Sequence, residues 1–372
     1  MAGLYLHIPF CSRRCFYCDF FSSTDNEKRG QYIAALCREI DERKGYLADN
    51  RLSTIYFGGG TPSLLSAAEF EAVFAAVARC FRVDADAEIT LEANPDDLSE
   101  EYLSQLRQLP FNRVSLGIQS FNDDDLKNLN RRHSACQAKS AVRRCREAGF
   151  DNISIDLMYG LPGQSVDDWA RNIEEAIALN PEHISAYSLT YEEGTELHRR
   201  LKSGRIKAAD DETSRLFYYL LADRLEAEGY LHYEISNFAK PGFVSRHNSS
   251  YWKGIGYLGV GAAAHSYSGE SRQWNIASLS GYLSGHCVEE VEVLDADTRY
   301  NDYLITRLRT AWGVDADEIA VLFGSTRRDS FCKTAENYLA AGLLVQSGAN
   351  YRLTRDGFFI SDGIIADFFA LT

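Results

Sequence analysis

Strand-like and helix-like patterns alternate without interruption over the first 240 residues, and this alternation constrains the chain more than any other feature. Apolar β-type runs stand at LYLHI (4–8), STIYF (53–57), EITLEA (88–93), RVSLGIQ (113–119), NISIDLMYG (152–160) and HISAYSL (183–189), with a weaker one at HYEIS (232–236). Helical patterns separate them, at 31–47, 67–81, 100–109, 137–150, 165–180 and 214–229. Strands and helices in strict alternation call for parallel strands joined by helical crossovers. Six such units fall short of the eight in a closed barrel. The expected fold is therefore α/β, a partial (β/α)6 barrel of the TIM type over residues 1–240.

From residue 237 the periodicity dissolves into a stretch rich in Gly, Ser and aromatics. A connecting region, 241–295, is expected to be loop and short irregular elements covering the barrel mouth. Beyond it, helices are expected near 297–311, 315–323 and 328–341, strands at 343–346 and 351–354, and a last helix from Asp356. Three helices and a hairpin make an α+β winged-helix-like domain, 296–372. Such modules often read DNA, but this one holds eight Lys/Arg against ten Asp/Glu, 8 − 10 = −2, whereas a DNA reader is normally basic. The whole chain carries a net charge of −14, which repels phosphate backbones, so no nucleic-acid partner is expected. No apolar run reaches the length of a membrane-spanning helix and the N-terminus lacks a signal-peptide pattern; the expectation is a cytoplasmic protein.

Nine cysteines, an odd number, argue against a disulfide framework. Cys37, Cys80, Cys136, Cys145, Cys287 and Cys332 are scattered and read as small apolar residues. Cys11, Cys15 and Cys18 crowd into C-S-R-R-C-F-Y-C. Thiolates so spaced on one loop can surround an iron–sulfur cube; three of them leave one iron open to a chelating small molecule. A structural zinc site would need a fourth ligand, and His7 is the only nearby donor.

Position sharpens this reading. The cysteine loop follows the first strand and Gly58-Gly59-Gly60-Thr61-Pro62 follows the second. Glu92 ends the third, Gln119 ends the fourth and Asp156 lies on the fifth. Barrel active sites form at the C-terminal ends of the strands, so these residues should meet at one mouth. Glycines there let backbone approach a ligand closely, although a plain strand-to-helix turn also explains them. The carboxylates could accept hydrogen bonds from ribose hydroxyls or an amine, or be solvated or capping groups.

The runs LYLHIPFCSRRCFYCDF, GGGTPS, LEANP, VSLGIQSFN and IDLMYGLPGQ, in this order, resemble the radical S-adenosylmethionine (SAM) superfamily, in its oxygen-independent coproporphyrinogen III oxidase-like branch. The resemblance runs through most of the chain. It implies that Cys11, Cys15 and Cys18 hold a 4Fe-4S cluster whose open iron SAM chelates. It implies SAM contacts at Tyr5, Tyr17, Gly59, Gly60, Thr61, Glu92, Gln119, Arg131 and Asp156, an electron donor to the cluster, and reductive cleavage of SAM to a 5′-deoxyadenosyl radical. Two departures from the oxidases stand out. Phe20 occupies the place of a further Cys, and only ten residues precede Cys11 where the oxidases carry a substrate-handling arm. Both point to the haem chaperones of the branch instead.

His247-Asn248-Ser249-Ser250-Tyr251-Trp252 fits the H-N-x-x-Y-W haem motif of those chaperones. By that resemblance His247, Asn248, Tyr251 and Trp252 bind haem, for imidazole is a common axial ligand and aromatics can cover a porphyrin face. The plain alternative is a hydrogen-bonded loop histidine beside a core tryptophan. His265 is a second candidate ligand; His133 and His232 read as structural. The expected function is a haem chaperone serving haem-requiring acceptors such as respiratory enzymes, with a homodimer among the allowed assemblies. Coproporphyrinogen III dehydrogenase and a cluster-based redox regulator are the alternatives.

Overall fold

The computed structural model describes residues 2–370. Its first part runs β1 (Ala2–Ile8), α1 (Arg29–Glu42), β2 (Arg51–Gly59), α2 (Ala67–Cys80), β3 (Arg82–Ala93), α3 (Glu100–Leu106), β4 (Arg113–Gln119), α4 (Asp123–Asn128), α5 (Ala135–Glu147), β5 (Ile153–Tyr159), α6 (Val166–Leu179) and β6 (His183–Ser188). These six strands pair in parallel in sequence order. The expected alternation holds because runs of consecutive buried residues, on both faces, fill the middle of each strand. Leu4, Leu6 and Ile8 join the core under the helices, while Tyr5 and His7, offset by one, point into the barrel and bond each other. Helix starts are set locally: Ser66 with Glu69, Ser134 with Gln137 and Ser165 with Asp168 form reciprocal caps at α2, α5 and α6.

The barrel is open. After α7 (Glu196–Lys202) and α8 (Asp211–Ala227), the weak 232–236 run becomes a hairpin, β7 (Leu231–Glu234) and β8 (Asn237–Ala239), with β8 antiparallel to β6.

The region expected to be an irregular cover over the mouth folds differently. It contains α9 (Arg246–Trp252), β9 (Tyr257–Val260), β10 (His265–Tyr267), β11 (Ser271–Asn275), α10 (Leu279–Leu283) and β12 (Val288–Val293). β9 pairs in parallel with β1, and β10, β11 and β12 follow in antiparallel order, extending one twelve-stranded sheet. Close packing explains the small residues that hid these strands. A Cβ on Gly259 would strike the His265 carbonyl, and one on Gly261 (φ +106°) would lie 2.5 Å from the Tyr32 hydroxyl and 2.6 Å from the His7 carbonyl. Nor does α9 cover the mouth. It packs under the barrel against β1 and β2, and Glu88 of β3 binds its first turn.

The remainder holds α11 (Ala296–Leu308), β13 (Val314–Asp315), α12 (Ala316–Phe323), α13 (Ser325–Ala340), β14 (Leu344–Ser347), β15 (Asn350–Leu353), α14 (Arg355–Phe359) and α15 (Ser361–Ala366). β13, β15 and β14 form a small antiparallel sheet in which β13, absent from the sequence reading, pairs with the hairpin. A second apolar core fills this part, and Tyr218 of α8 belongs to it.

Candidate functional site

The C-terminal ends of the barrel strands surround a cavity of about 610 Å³. Cys11, Cys15, Cys18, Tyr17, Gly59, Gly60, Thr61, Glu92, Gln119, Arg131 and Asp156 all line it. Tyr5 does not. It lies beneath the wall, its hydroxyl 3.1 Å from His7 Nδ1 and its ring stacked on Tyr56. The HNSSYW segment is likewise absent from the lining.

The cysteine loop is tied down at both ends. Cys11 N–H donates to the Ser23 carbonyl (2.9 Å), Phe16 N–H to the Leu129 carbonyl (3.1 Å) and Asn130 Nδ2 to the Arg14 carbonyl (2.8 Å). The Arg200 guanidinium lies 4.3 Å over the Phe16 ring. Two side chains from elsewhere reach the sulfurs: Thr61 Oγ1 is 3.4 Å from Cys11 Sγ and Arg131 Nη1 is 3.3 Å from Cys15 Sγ. Burial raises the Cys11 thiol above its ordinary range and pushes Cys18 up to about 11. Buried thiols of this kind become ligands when a bound metal replaces their protons. Among the described residues no three His, Cys, Asp or Glu side chains converge tightly enough for a single ion. The three cysteines instead face one wide cavity, a donor set that fits a cluster.

The glycine turn is shaped by this loop. A Cβ on Gly60 would sit 2.8 Å from the Phe10 carbonyl, and one on Gly59 (φ +109°) would sit 2.6 Å from the His7 ring. Both positions therefore demand glycine for packing, whatever else they contact. On the next strand, Glu92 accepts from the Tyr56 hydroxyl (2.7 Å) and from Gly59 N–H (3.2 Å). Burial pushes its carboxyl up to about 7, with the Asp156 charge acting in the same direction. Asp156, also raised by burial, accepts from Ser115 Oγ (3.3 Å). Gln119 closes β4 with φ +69°, a left-handed backbone that a non-glycine residue seldom adopts. Arg131 bridges the wall, its Nη2 donating to Asn94 Oδ1 and to the Gly117 carbonyl, each at 2.5 Å.

Several contributors escaped the sequence reading. Asn94 sits within LEANP, and its role as partner of Arg131 could have been suspected from that position. Arg132 pairs with Asp96 and Asp97 on the rim. Arg113 carries no such signal. It opens β4, is buried in the barrel and leaves Nε and Nη1 without a hydrogen bond. Its charge lies near Glu92, Asp156 and His247.

Below the cavity floor, His247 is 1 % exposed. Its Nδ1 meets Thr54 Oγ1 at 2.8 Å and its Nε2 meets the Tyr251 hydroxyl at 2.8 Å. The ring stacks on Tyr56 with centroids 4.9 Å apart. Burial, then the Arg113 charge, lowers it to about 3, so it is neutral. The Glu88 carboxylate accepts from His247 N–H (2.8 Å) and Arg246 N–H (2.9 Å), holding the start of α9. As folded, His247 has no free nitrogen and no open side, so it does not fit an axial ligand. Tyr251, one turn further along α9, covers the ring edge-on, with centroids 5.2 Å apart.

Three cysteines after the first strand of an open parallel barrel, facing glycines, carboxylates and a guanidinium at the same mouth, define the radical SAM class. The Radical SAM superfamily model matches residues 5–176 and the HemN C-terminal domain model residues 294–360. The fold is shared with coproporphyrinogen III oxidase (HemN) from Escherichia coli, a radical SAM enzyme, with a TM-score of 0.86 and 24% identity over 99% of this chain and 90% of that one. Relatives extend over nearly the whole length. Heme chaperone HemW from Mycobacterium tuberculosis (strain H37Rv) is 36% identical over 98% of this chain and 93% of its own. Its counterparts from Bacillus subtilis (strain 168) and Escherichia coli (strain K12) are 33% and 31% identical, each over 99% of this chain and over 99% and 98% of their own. The chain belongs to the HemW family of radical SAM haem chaperones. Membership of the superfamily implies a 4Fe-4S cluster and SAM. No helix among the described residues is long and apolar enough to cross a membrane.

Proposed function

We propose that this chain holds a 4Fe-4S cluster on Cys11, Cys15 and Cys18, binds SAM in the adjoining cavity, and receives haem for transfer to haem-requiring acceptors, respiratory enzymes among them, in the cytoplasm. The observation that carries the reading is the convergence of cluster thiols, Glu92, Gln119, Arg131 and Asp156 on one cavity, in a chain that matches haem chaperones end to end. When bound, the cluster supplies an open iron for SAM and the electron for its reductive cleavage. The chain's own residues do the rest. Tyr56 and Gly59 N–H hold the Glu92 carboxyl in place, where it accepts from SAM once ionised. Arg131 steadies Cys15 and the wall through Asn94. Tyr17 and Gln119 border the same space, and Tyr5 supports it from below through His7. We further assign the barrel to 1–240, the sheet extension with α9 to 241–295 and the winged-helix-like module to 296–372.

Phe20, 64 % exposed beside the cavity, stands where the porphyrinogen oxidases have a Cys, and this disfavours porphyrinogen turnover. The test is anaerobic reconstitution followed by parallel assays. Stoichiometric haem binding without protoporphyrinogen formation is expected when SAM and reductant are supplied. Repeated turnover of coproporphyrinogen III would replace this reading with the dehydrogenase.

A further inference from the structure

The interior of a (β/α) barrel is ordinarily filled by branched apolar side chains, but here a cation stands in it. Ser115, Gly117 and Gln119 of β4 line the cavity, and period-two alternation puts Arg113 on the same face, one step further from the mouth. The register with β3 sets Arg113 level with Thr90 and Ser115 level with Glu92, and the register with β5 sets Gly117 level with Asp156. Arg113 therefore starts beneath both cavity carboxylates. It is 1 % exposed, and neither its Nε and Nη1 nor the neighbouring Thr90 Oγ1 has a hydrogen-bond partner.

A buried cation with N–H groups unused is costly unless opposite charge lies near it. Its charge is felt by Tyr56 of β2, Glu92 of β3, Asp156 of β5, His183 of β6, Tyr233 of β7 and His247 of α9. Burial keeps both imidazoles neutral and both phenols protonated, so among these six groups only the two carboxyls can supply a negative charge. The carboxyls need the cation in turn. Burial and the charge of Asp156 work against ionisation of Glu92, and Tyr5, Tyr56 and Tyr187, which also face them, stay protonated. Arg131 lends its charge to Asp156 but is tied to Cys15, Asn94 and the Gly117 carbonyl. Two carboxyls in one buried space resist ionising together; a guanidinium, which does not lose its proton, offsets that resistance.

We propose that Arg113 is a positioning residue of the SAM site: from beneath the cavity its fixed charge holds Glu92 and Asp156 as paired acceptors for the hydroxyl and amine groups of the cofactor, without touching it. The proposal rests on the SAM-binding reading but can fail separately from it. SAM is titrated into reconstituted full-length protein at pH 7 and pH 8.5 and followed by EPR of the reduced cluster, with thermal unfolding and iron content recorded for each variant. Arg113→Met should bind SAM about fivefold more weakly than the unaltered protein at pH 7 and equally well at pH 8.5, because the acid limb of affinity moves up by about one pH unit. Arg113→Lys, which keeps the charge and loses the fork, should leave the limb in place. The upward move should also appear without cluster or SAM, in an infrared titration of the protonated-carboxyl band that Glu92→Gln diminishes. An unmoved limb in Arg113→Met would overturn the proposal, and so would an equal loss of affinity at both pH values, the mark of a packing role. Should Arg113→Met not fold, Arg113→Lys decides: a limb kept in place supports the proposal and one displaced upward refutes it. Failure of the unaltered protein to bind SAM would instead remove the SAM reading, and the infrared titration would still report on Arg113.

Discussion

The two ends of the barrel put similar side chains to opposite uses. At the mouth, thiols, carboxylates and a guanidinium face a cavity with bonding capacity to spare: Arg131 Nε is unpaired, and the three thiols, Glu92 and Asp156 all border the open space. At the floor, Thr54, Glu88, His247 and Tyr251 satisfy one another and leave no room. A polar motif with its donors and acceptors consumed is a structural pin, while one that leaves them aimed at a cavity is a binding site. The cysteine loop was the sharper of the two motifs in the sequence, and HNSSYW stood out only through the family resemblance; the use each end makes of its donors and acceptors separates them in the structure.

The largest effect should come from the mouth. Cys11→Ala, Cys15→Ala or Cys18→Ala should each abolish the cluster, from about four iron and four sulfide per chain to near zero in anaerobically reconstituted protein. Retention of the full iron content by any of them would break the contrast at once.

The floor should show itself through acid. An unfolded imidazole titrates near 6.5, whereas His247 is lowered to about 3. Between those values the unfolded chain binds more protons than the folded one, so stability present above about pH 6.5 is lost as the pH falls toward 3. Each such histidine contributes a slope of up to roughly 1.4 kcal/mol per pH unit. Denaturant midpoints across this range should fall in the unaltered protein and less steeply in His247→Asn; parallel curves would mean that the pin is not buried as described.

Next in size, Glu88→Ala should cost about 3 kcal/mol by leaving the first N–H groups of α9 without their buried acceptor. Its cluster content should be unchanged, which reconstitution followed by iron analysis would check.

A smaller effect is expected at the mouth itself. Glu92→Ala should weaken SAM affinity by about 1–3 kcal/mol, read from the EPR change of the reduced cluster on adding SAM. In the unaltered protein that affinity should decline as the pH drops below about 7, where Glu92 takes up a proton. A pH-independent affinity would remove Glu92 from the contacts. Smallest of all, Cys37→Ala should change neither iron content nor stability by more than about 0.5 kcal/mol.

Much of the barrel was legible because its signals are local. The alternation of strand and helix, the caps at Ser66, Ser134 and Ser165, and the place of each motif after its strand all depend on neighbours a few residues away. The strands after residue 256 were not legible, since Gly259 and Gly261 are dictated by backbones that pack on them rather than by a period-two pattern. Arg113 gave no warning for a related reason: a charged residue opening a strand is ordinarily exposed, and burial in the barrel came from the closure of strands around it.

What the chain determined by itself was the cysteine loop and its setting, because three thiols within eight residues on a strand-to-helix connection have few ways to be apart. What only the tertiary structure decided was the fate of each histidine. His247 meets Thr54 from 193 residues away, and His265 stays open because β10 lies at the flank of the sheet, outside the barrel wall. An imidazole's chemistry depends on whether its two nitrogens find partners, and those partners are supplied by distant strands that no local pattern encodes.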